Sequence, residues 1–320
     1  MVLFSVILLL LIIISYLLYK IYWLKKMMMH KDGIQIAQDK LNAHRTQLTP
    51  EHVRKFYNEY TEKFRVVYGD IIQAYRTKNV NDYLDYTIKS ADLKDGQTIL
   101  DAGCGIGGPS KYFASRLDIK IEACTVSDYQ AETGQKLISE AGLTQKVNIQ
   151  RADYHDINKI YPQNHFDRVI FLESFGHSNN KKDLIEAAWD ILKPGGYLYI
   201  KDLFEREAGG DDDMKRIKEI CLEINQGYQY SIADLHEIIS IIRKKGFILN
   251  FIKTPEVDLD LFEHLTISND FQNLFNVSKI NSWDNYVFPI DFLEIKAQKP
   301  AFMLDLNKHL YHMNQPDSQG

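Results

Sequence analysis

The sequence is poor in cysteine and has no excess of basic charge, and each shortage excludes a class of protein. The three cysteines among 320 residues, Cys104, Cys124 and Cys221, are too few and too scattered for a disulfide framework or a zinc site. We therefore expect reduced thiols in a domain that faces the cytosol. The formal net charge of -5 argues against a nucleic-acid partner, which would require a basic face. The length favours one enlarged domain over two full ones.

The first segment lacks charge altogether. Met1–Tyr19 has no charged side chain and is dominated by Leu, Ile and Val. As a helix it would be about 28 Å long, close to the hydrocarbon core of a bilayer. Lysines follow on one side only, together with interfacial aromatic residues: Lys20, Lys25, Lys26 and Lys31, with Tyr19, Tyr22 and Trp23. The positive-inside rule then predicts a single-pass membrane protein, anchored in a lipid bilayer by residues 1–24, with the rest of the chain facing the cytoplasm. A cleaved signal peptide is the alternative, but a basic start and a small-residue cleavage site are missing.

A polar stretch and a predicted helical cap precede the main domain. Thr49-Pro50-Glu51 is typical of a helix start, because it offers a capping side chain, a proline in the first turn and an early acid. Apolar residues follow at helical spacing from Val53 to Tyr75 and predict a face that packs on the domain or closes over a ligand. We divide the chain into an anchor (1–24), a linker (25–48) with some helix, an N-terminal cap (49–95), a main domain (96–300) and a tail (301–320).

Thr98–Ser110, with the sequence TILDAGCGIGGPS, predicts a strand, a tight glycine turn and the start of a helix. Glycines remove the side chains that would block close approach, and the N–H groups at a helix start are free to bind a ligand. A nucleotide-like ligand can therefore lie against bare backbone at this turn, with Asp101 at the end of the strand.

Strands and helices alternate beyond the glycine turn. Strand-like runs occur at 119–126, 147–150, 166–172, 197–203, 246–251 and 287–298, and helical patterns at 129–141, 182–192 and 231–245. This alternation predicts an α/β fold with helices on both faces of a parallel sheet and the ligand at the carboxyl ends of its strands. Two inserts, 205–230 and 254–283, would emerge on the ligand side as a lid or as substrate walls.

A dinucleotide site is the first alternative for the ligand. Gly103, Gly105 and Gly108 satisfy the fingerprint G-x-G-x-x-G. That reading requires an acid at the end of the second strand to hold a ribose hydroxyl, yet the first acid, Asp128, lies beyond the strand. It also leaves Asp101 and the turn Lys193–Gly196 without a function.

Four motifs resemble the motif series of class I S-adenosylmethionine-dependent methyltransferases: Asp101–Pro109, Ala152-Asp153, Phe166-Asp167 and Leu192–Gly196. Within that superfamily the resemblance is strongest to sterol C-methyltransferases, with tocopherol methyltransferases and cyclopropane-fatty-acid synthases as related groups. The cap residues Tyr57-Asn58, Thr61 and Tyr68-Gly69 and the segment Asp128-Tyr129-Gln130 also resemble the sterol enzymes. The resemblance implies a Rossmann-like, seven-stranded sheet whose last strand is antiparallel, and S-adenosyl-L-methionine as the cofactor.

The resemblance also implies which residues hold the cofactor. The expected contacts are Asp101 near the ammonium group, Gly103, Gly105 and Gly107 along the methionine part, Tyr68 from the cap, Glu173 beside the sulfonium methyl, Thr125, Ser127 and Gln130 at the ribose, and Asp153 and Tyr154 at the adenine.

Glu173 and His177 are the candidate catalytic residues. The resembling sterol enzymes methylate an alkene, which produces a carbocation that must lose a proton, and these two side chains enter the expected cleft from the loop after the fourth strand. The alternatives are a cofactor or backbone contact for Glu173 and a backbone hydrogen bond for His177. Phe175-Gly176 and Lys201–Phe204 depart from the sterol pattern at positions that would contact the substrate.

Two further patterns receive structural interpretations. Asp211-Asp212-Asp213 invites a metal site, but three adjacent acids in a glycine-rich connection are typical of a solvated loop, so we predict no metal. The amphipathic stretch Leu259–Val277 could form core, a substrate wall or a surface that lies on a membrane, and we favour core or substrate wall.

Three functions remain open. The first is an anchored methyltransferase that acts at carbon on an apolar small molecule, such as a sterol, an isoprenoid or a fatty-acyl lipid. The second is N- or O-methylation of a polar small molecule, and the third is a cofactor-binding scaffold without turnover. The sequence carries no signal for the oligomeric state.

Overall fold

One mixed sheet of seven strands, in the order β3-β2-β1-β4-β5-β7-β6, organises the described part of the chain. The computed structural model describes residues 2–74, 77, 79–257 and 287–301, with side chains from Ile12 onward except His30. The strands are β1 (Thr98–Ala102), β2 (Lys120–Thr125), β3 (Val147–Arg151), β4 (Phe166–Leu172), β5 (Leu192–Glu205), β6 (Ile248–Lys253) and β7 (Ile290–Gln298). The first five pair in parallel, whereas β7 is antiparallel to both β5 and β6. The predicted α/β sheet with an antiparallel last strand is confirmed.

Helices pack on both faces of this sheet. They are α1 (Val2–Gln47), α2 (Pro50–Tyr68), α3 (Val80–Ser90), α4 (Gly108–Arg116), α5 (Asp128–Glu140), α6 (Ile157–Ile160), α7 (Lys181–Ile191), α8 (Asp211–Tyr228) and α9 (Leu235–Lys245). Val169 and Phe171 of β4 pack with α7 and α9, whereas Ile170 and Leu172 pack with α3, α4 and α5. Successive side chains of a strand point to opposite faces. The four apolar residues at the end of β4 are therefore buried on both sides of the sheet.

The strand order reverses between β1 and β4, and this point positions the site. The sheet grows from β1 through β2 to β3 on one side and from β4 through β5 on the other. The loops that leave the carboxyl ends of β1 and β4 therefore diverge and leave a crevice between them. The glycine turn after β1 and the loop of Glu173 and His177 after β4 border that crevice, as predicted.

The first helix corrects the predicted membrane anchor. α1 runs without a break across the expected boundary between anchor (1–24) and linker (25–48). In the part of the chain that is described, no helix is both long enough and apolar enough to span a bilayer. The predicted single-pass localisation is therefore wrong. The predicted bilayer contact and cytoplasmic orientation depended on the same anchor and are not supported.

The second half of α1 packs on the domain instead. Leu41 is fully buried in a cluster that includes residues of α8. At the end of the helix, His44 Nε2 donates to the carbonyl oxygen of Tyr230 at 3.2 Å, and Arg45 Nη2 donates to that of Ile232 at 2.5 Å. The end of α1 thus supports the segment that follows α8.

The cap begins as predicted and is joined to the main domain. Thr49 accepts a hydrogen bond from the His52 N–H at 3.3 Å and so caps α2. Arg54 of α2 pairs with Asp128 at the start of α5, with an N–O distance of 2.7 Å.

The two predicted inserts have different outcomes. The insert 205–230 holds α8, which packs against α1 and α2. Of the insert 254–283, residues 258–283 lie outside the described residues, as do the stretch Leu259–Val277 and most of the tail. The domain limits themselves stay predictions.

Candidate active site

The glycine turn forms a cradle of bare backbone. Gly103, Gly105 and Gly107 all have left-handed φ values, of 80°, 57° and 74°. A Cβ atom on Gly103 would lie 2.5 Å from the Cβ of Ser174, so the turn passes directly against the loop that follows β4. A Cβ on Gly108 would collide with the backbone of Asp70, which shows that the cap segment closes over the start of α4. Only glycine satisfies both the conformation and the close approach.

A cleft lies over this turn, with about 790 Å³ of empty space that is partly open to solvent. One side, here the cofactor half, is lined by residues from the segments 101–109, 125–130 and 153–155. The other side, the acceptor half, is lined by residues from the segments 50–57, 70–73 and 172–177. The predicted site residues that line the cleft are Asp101, Gly103, Gly105, Thr125, Gln130, Asp153, Tyr154, Glu173 and His177. The other three, Tyr68, Gly107 and Ser127, are not among the lining residues.

Asp101 is a buried carboxyl at the base of the cofactor half. It is 1% exposed and accepts a hydrogen bond from Ser110 Oγ at 2.6 Å. Burial raises the pKa of Asp101 to about 6, although the Ser110 hydrogen bond opposes that shift. A cationic group of a ligand would favour its ionised form, which fits the predicted contact with an ammonium group.

The predicted ribose contacts divide into two kinds. Thr125 and Gln130 line the cleft, and Thr125 Oγ1 donates to Gln130 Oε1 at 2.7 Å. Ser127 is fully buried, accepts from the Gln130 backbone N–H at 3.1 Å and so caps α5. Its hydroxyl donates to Asn58 Oδ1 of the cap at 2.6 Å. The cofactor contact of Ser127 stays a prediction.

Asp153 and Tyr154 follow β3 at the far end of the cofactor half. Asp153 Oδ1 accepts the backbone N–H of His155 at 2.9 Å. The Tyr154 hydroxyl donates to the carbonyl oxygen of Ser174 at 3.1 Å, and its ring packs edge-on against Phe171. This end of the cleft is therefore fastened to the loop after β4.

Glu173 links three elements at the centre of the cleft. It has a left-handed φ of 57°, a conformation that is uncommon outside glycine and is concentrated at functional sites. Its backbone N–H donates to the carbonyl oxygen of Lys201 on β5 at 2.8 Å. Its Oε2 accepts the backbone N–H of Ala74 at 2.6 Å, so the carboxylate fastens the cap segment across the cleft.

His177 and Tyr57 form a hydrogen-bonded pair in the acceptor half. A carbonyl oxygen can only accept, so Nδ1–H of His177 donates to Gln229 O at 2.8 Å, and Nε2 then accepts the Tyr57 hydroxyl proton at 2.7 Å. Burial lowers the pKa of His177 to about 4, which keeps the imidazole neutral near pH 7. Tyr57 was predicted only as part of the cap helix, because no local pattern identifies a partner 120 residues away.

Tyr230, Asp202 and Gly176 support the loop that carries His177. Asp202 Oδ2 accepts the Gly176 N–H at 3.1 Å, and the Tyr230 hydroxyl donates to Asp202 Oδ1. The Tyr230 ring fills the space that a Cβ on Gly176 would need. The sequence departure at Phe175-Gly176 thus has a packing reason.

Lys201 is a fully buried cation behind the cleft. Its ammonium donates to the Tyr83 hydroxyl and to Gln73 Oε1, the latter at 3.3 Å. Burial lowers the pKa of Lys201 to about 8. It joins β5 to α3 and to the cap segment that lines the cleft. The sequence showed only that Lys201 departs from the sterol pattern and did not indicate this structural role.

The charge of the cleft is one-sided. Among the described residues that line it there is no Lys or Arg, whereas four carboxyl groups contribute: Asp70, Asp101, Asp153 and Glu173. Of these, Asp70 is paired with Arg65 and Lys111, which lie outside the lining. Apolar side chains border the acceptor half, namely Pro50, Val53, Ile72 and Leu172. This lining suits a ligand that is neutral or cationic, with an apolar part on the cap side.

The three adjacent acids of the 205–230 insert lie away from this lining. Asp211, Asp212 and Asp213 form the first turn of α8, where acidic side chains complement the helix dipole. Across the described residues, no group of side chains has the arrangement of a metal site.

The family model for mycolic acid cyclopropane synthetase matches residues 70–253. That range is more than half of the chain and includes the glycine turn, Glu173 and His177. The chain belongs to this family. A curated relative, a sterol 24-C-methyltransferase of Gibberella zeae, is 26% identical over 202 residues, which are 61% of this chain and 52% of that protein. The chain thus spans about half the length of this relative.

Solved structures share the fold. The cyclase SpnF has a TM-score of 0.64 and 22% identity over 79% of this chain and 97% of its own. The geranyl diphosphate C-methyltransferase from Streptomyces coelicolor, solved with S-adenosyl-L-homocysteine, has a TM-score of 0.58 and 15% identity over 78% and 97%. The class I methyltransferase fold, the family resemblance and the cofactor S-adenosyl-L-methionine are therefore confirmed, and the predicted enzyme class is that of the relatives. The site residues stay predictions.

Proposed function

We propose that this chain is an S-adenosylmethionine-dependent methyltransferase that acts at carbon on a neutral, apolar small molecule of the sterol or isoprenoid type. The observation that carries the proposal is the composition of the acceptor half, in which apolar side chains surround Tyr57, Glu173 and a neutral His177. The family and the sterol methyltransferase relative support the reaction class.

Among the described residues that line the cleft, the absence of Lys and Arg favours a neutral acceptor over a phosphorylated one. A phosphate or diphosphate group needs Arg, Lys or a bound metal ion, because burying an unpaired anion is costly. The geranyl diphosphate enzyme of similar fold was solved with Mg²⁺. The described lining of the present cleft holds four carboxyl groups and no Lys or Arg to pair with such an anion.

The cofactor half fits S-adenosyl-L-methionine. The bare turn at Gly103 and Gly105 leaves room for the methionine part, Asp101 lies where an ammonium group would be neutralised, and Asp153 presents a carboxylate at the other end. When bound, the cofactor supplies a methyl group activated by a sulfonium. The protein then needs to align the acceptor and exclude water, which the cap does by closing over the cleft.

Glu173 is the stronger candidate for the proton acceptor. The Nε2 lone pair of His177 is occupied by the Tyr57 hydroxyl, and its low pKa makes it a weak base. We assign His177 to hold the Tyr57 hydroxyl in place, and Glu173 to receive the proton that an alkene acceptor must lose after methylation.

The test uses methyl-labelled S-adenosylmethionine, the purified chain and a lipid extract rich in sterols and isoprenoids, followed by partition between solvent and water. We expect label in the organic phase, and we expect Glu173→Gln to remove most of it while S-adenosylhomocysteine still binds. Label in the aqueous phase would favour N- or O-methylation of a polar molecule, and no transfer with intact binding would favour a scaffold. Equal losses of turnover and binding in Glu173→Gln would remove its assignment as the base.

A further inference from the structure

Three side chains join the adenine end of the cofactor half to the loop after β4. His155 Nδ1 lies 2.6 Å from Asp153 Oδ1, and His155 Nε2 lies 2.7 Å from Ser178 Oγ. Ser178 is fully buried, whereas Asp153 and His155 line the cleft. The hydrogen-bonded series Asp153–His155–Ser178 therefore runs from the cleft lining to the interior of the protein.

The chemistry of the ends sets the direction of the hydrogen bonds. An ionised carboxylate can only accept, so Nδ1–H of His155 donates to Asp153, which leaves Nε2 for the hydrogen bond with the Ser178 hydroxyl. Ser178 Oγ in turn accepts the backbone N–H of Asn180 at 3.0 Å. Each polar atom of His155 and Ser178 is thus matched, and the ring has one orientation.

This arrangement leaves the two carboxylate oxygens of Asp153 unequal. Oδ1 receives the side chain and the backbone N–H of His155, at 2.6 and 2.9 Å. Within the described residues, Oδ2 has no protein partner, and Asp153 lines the cleft. Rotation of the carboxylate would break the short bond to His155, so Oδ1 stays engaged and Oδ2 is left to accept a hydrogen bond from a ligand in the cleft.

We propose that His155, held by Ser178, is a positioning residue that fixes Asp153 to accept the exocyclic amino group of the cofactor's adenine, and so makes the site selective for a 6-aminopurine over a 6-oxopurine. The proposal rests on the cofactor site of the proposed function. A 6-oxo group presents an acceptor to the fixed Oδ2, and two facing acceptors repel.

The test compares the affinities of S-adenosylhomocysteine and S-inosylhomocysteine, measured by calorimetry on the full chain. Both ligands fill the same cleft, so a substitution that merely disturbs the fold should weaken both affinities equally. Such an effect cancels in the ratio of the two affinities. We expect the wild type to prefer the adenosyl ligand by about 10- to 100-fold, the range for one hydrogen bond to a charged group. His155→Phe, which keeps an aromatic ring without donors, should reduce that preference to about threefold or less.

Two further variants keep the result interpretable. Ser178→Ala should give an intermediate preference, since the imidazole loses one support, and His155→Asn should restore part of the preference, because its amide can donate to Asp153. An unchanged preference in His155→Phe, with both affinities weakened equally, would show a packing role and overturn the proposal. A wild-type chain that bound neither ligand would overturn the proposed function itself, and this inference with it.

Discussion

The two halves of the cleft are built by different means. The cofactor half comes from residues at or just after strand ends, with its shape set by left-handed glycines and close backbone approach. The acceptor half depends on side-chain hydrogen bonds between distant parts of the chain: Tyr57 with His177 across 120 positions, and Glu173 with Ala74 across 99. The cofactor half is thus shaped mainly by the ends of the strands, whereas the acceptor half needs the cap to complete it.

This difference implies that one set of substitutions should weaken cofactor binding and another should reduce the rate of methyl transfer. The shape of the cofactor half is set mainly by backbone geometry at the strand ends, so we expect the cofactor affinity to depend chiefly on that half. The hydrogen bonds of the acceptor half align a second molecule, and their loss should reduce turnover at nearly constant cofactor affinity. Each variant below challenges this division, in order of decreasing expected effect.

Gly103→Ala should weaken S-adenosylhomocysteine binding by about 100-fold or more, because the new Cβ would lie 2.5 Å from that of Ser174. Gly96→Ala is the matched control: its φ of 81° nearly equals the 80° of Gly103, but nothing lies within 4 Å of the added Cβ. The control thus carries the conformational cost without the collision. Equal affinities of the two variants in calorimetry would contradict the backbone cradle.

Tyr57→Phe should lower turnover by about 100-fold, because the hydroxyl held by His177 is lost from the acceptor half. Cofactor affinity should change by no more than about twofold. Tyr129→Phe serves as the control, since the Tyr129 hydroxyl contacts Glu62 at the surface. If Tyr57→Phe reduced affinity as much as turnover, Tyr57 would belong to the cofactor half.

The affinity for S-adenosylhomocysteine should fall about tenfold per pH unit below pH 6. The raised pKa of Asp101, about 6 without ligand, means that its carboxyl is protonated below that pH and must release a proton to pair with an ammonium group. Calorimetry between pH 5 and 7.5 in buffers of different ionisation enthalpy measures both the affinity and that proton. Asp101→Asn should bind weakly with no such slope, and a flat wild-type profile would remove Asp101 from the ammonium contact.

Ser127→Ala should have the smallest effect on binding, about twofold or less, with a loss of about 1 kcal/mol in the free energy of unfolding from the removed helix cap. Asp234→Ala removes the equivalent cap of α9, away from the cleft lining, and should destabilise to a similar degree in thermal melts. An additional tenfold loss of affinity in Ser127→Ala alone would support the ribose contact that the family resemblance implies.

The sheet and the cofactor half could be predicted because their signals are local. The Phe166–Leu172 run, a short stretch bounded by turn residues, matches β4 at both ends, whereas β5 (Leu192–Glu205) extends beyond the predicted 197–203. The glycines of the turn are required by the conformation of the same few residues, so spacing alone identifies them. Ser127 shows the limit, since its position in the motif is right but its hydroxyl is directed to the cap.

The acceptor half and α1 could not be predicted because their determinants are distant in sequence. Nothing near Tyr57 indicates that His177 accepts its proton, and the burial of Lys201 depends on α3 and the cap segment. The polar stretch after residue 24 was predicted as a linker because its few apolar residues, such as Leu41, are buried by elements distant in sequence, among them α8. Long-range packing decides these positions.

The contact between Gly176 and Tyr230 limits the order in which this site can change over evolution. Any side chain at position 176 meets the Tyr230 ring, so residue 230 must become small before residue 176 can become large. The first of these steps also removes the hydroxyl that donates to Asp202. A homologue with a larger residue at position 176 is therefore expected to lack the hydrogen bond from residue 230 to Asp202. We expect positions 176 and 230 to change together.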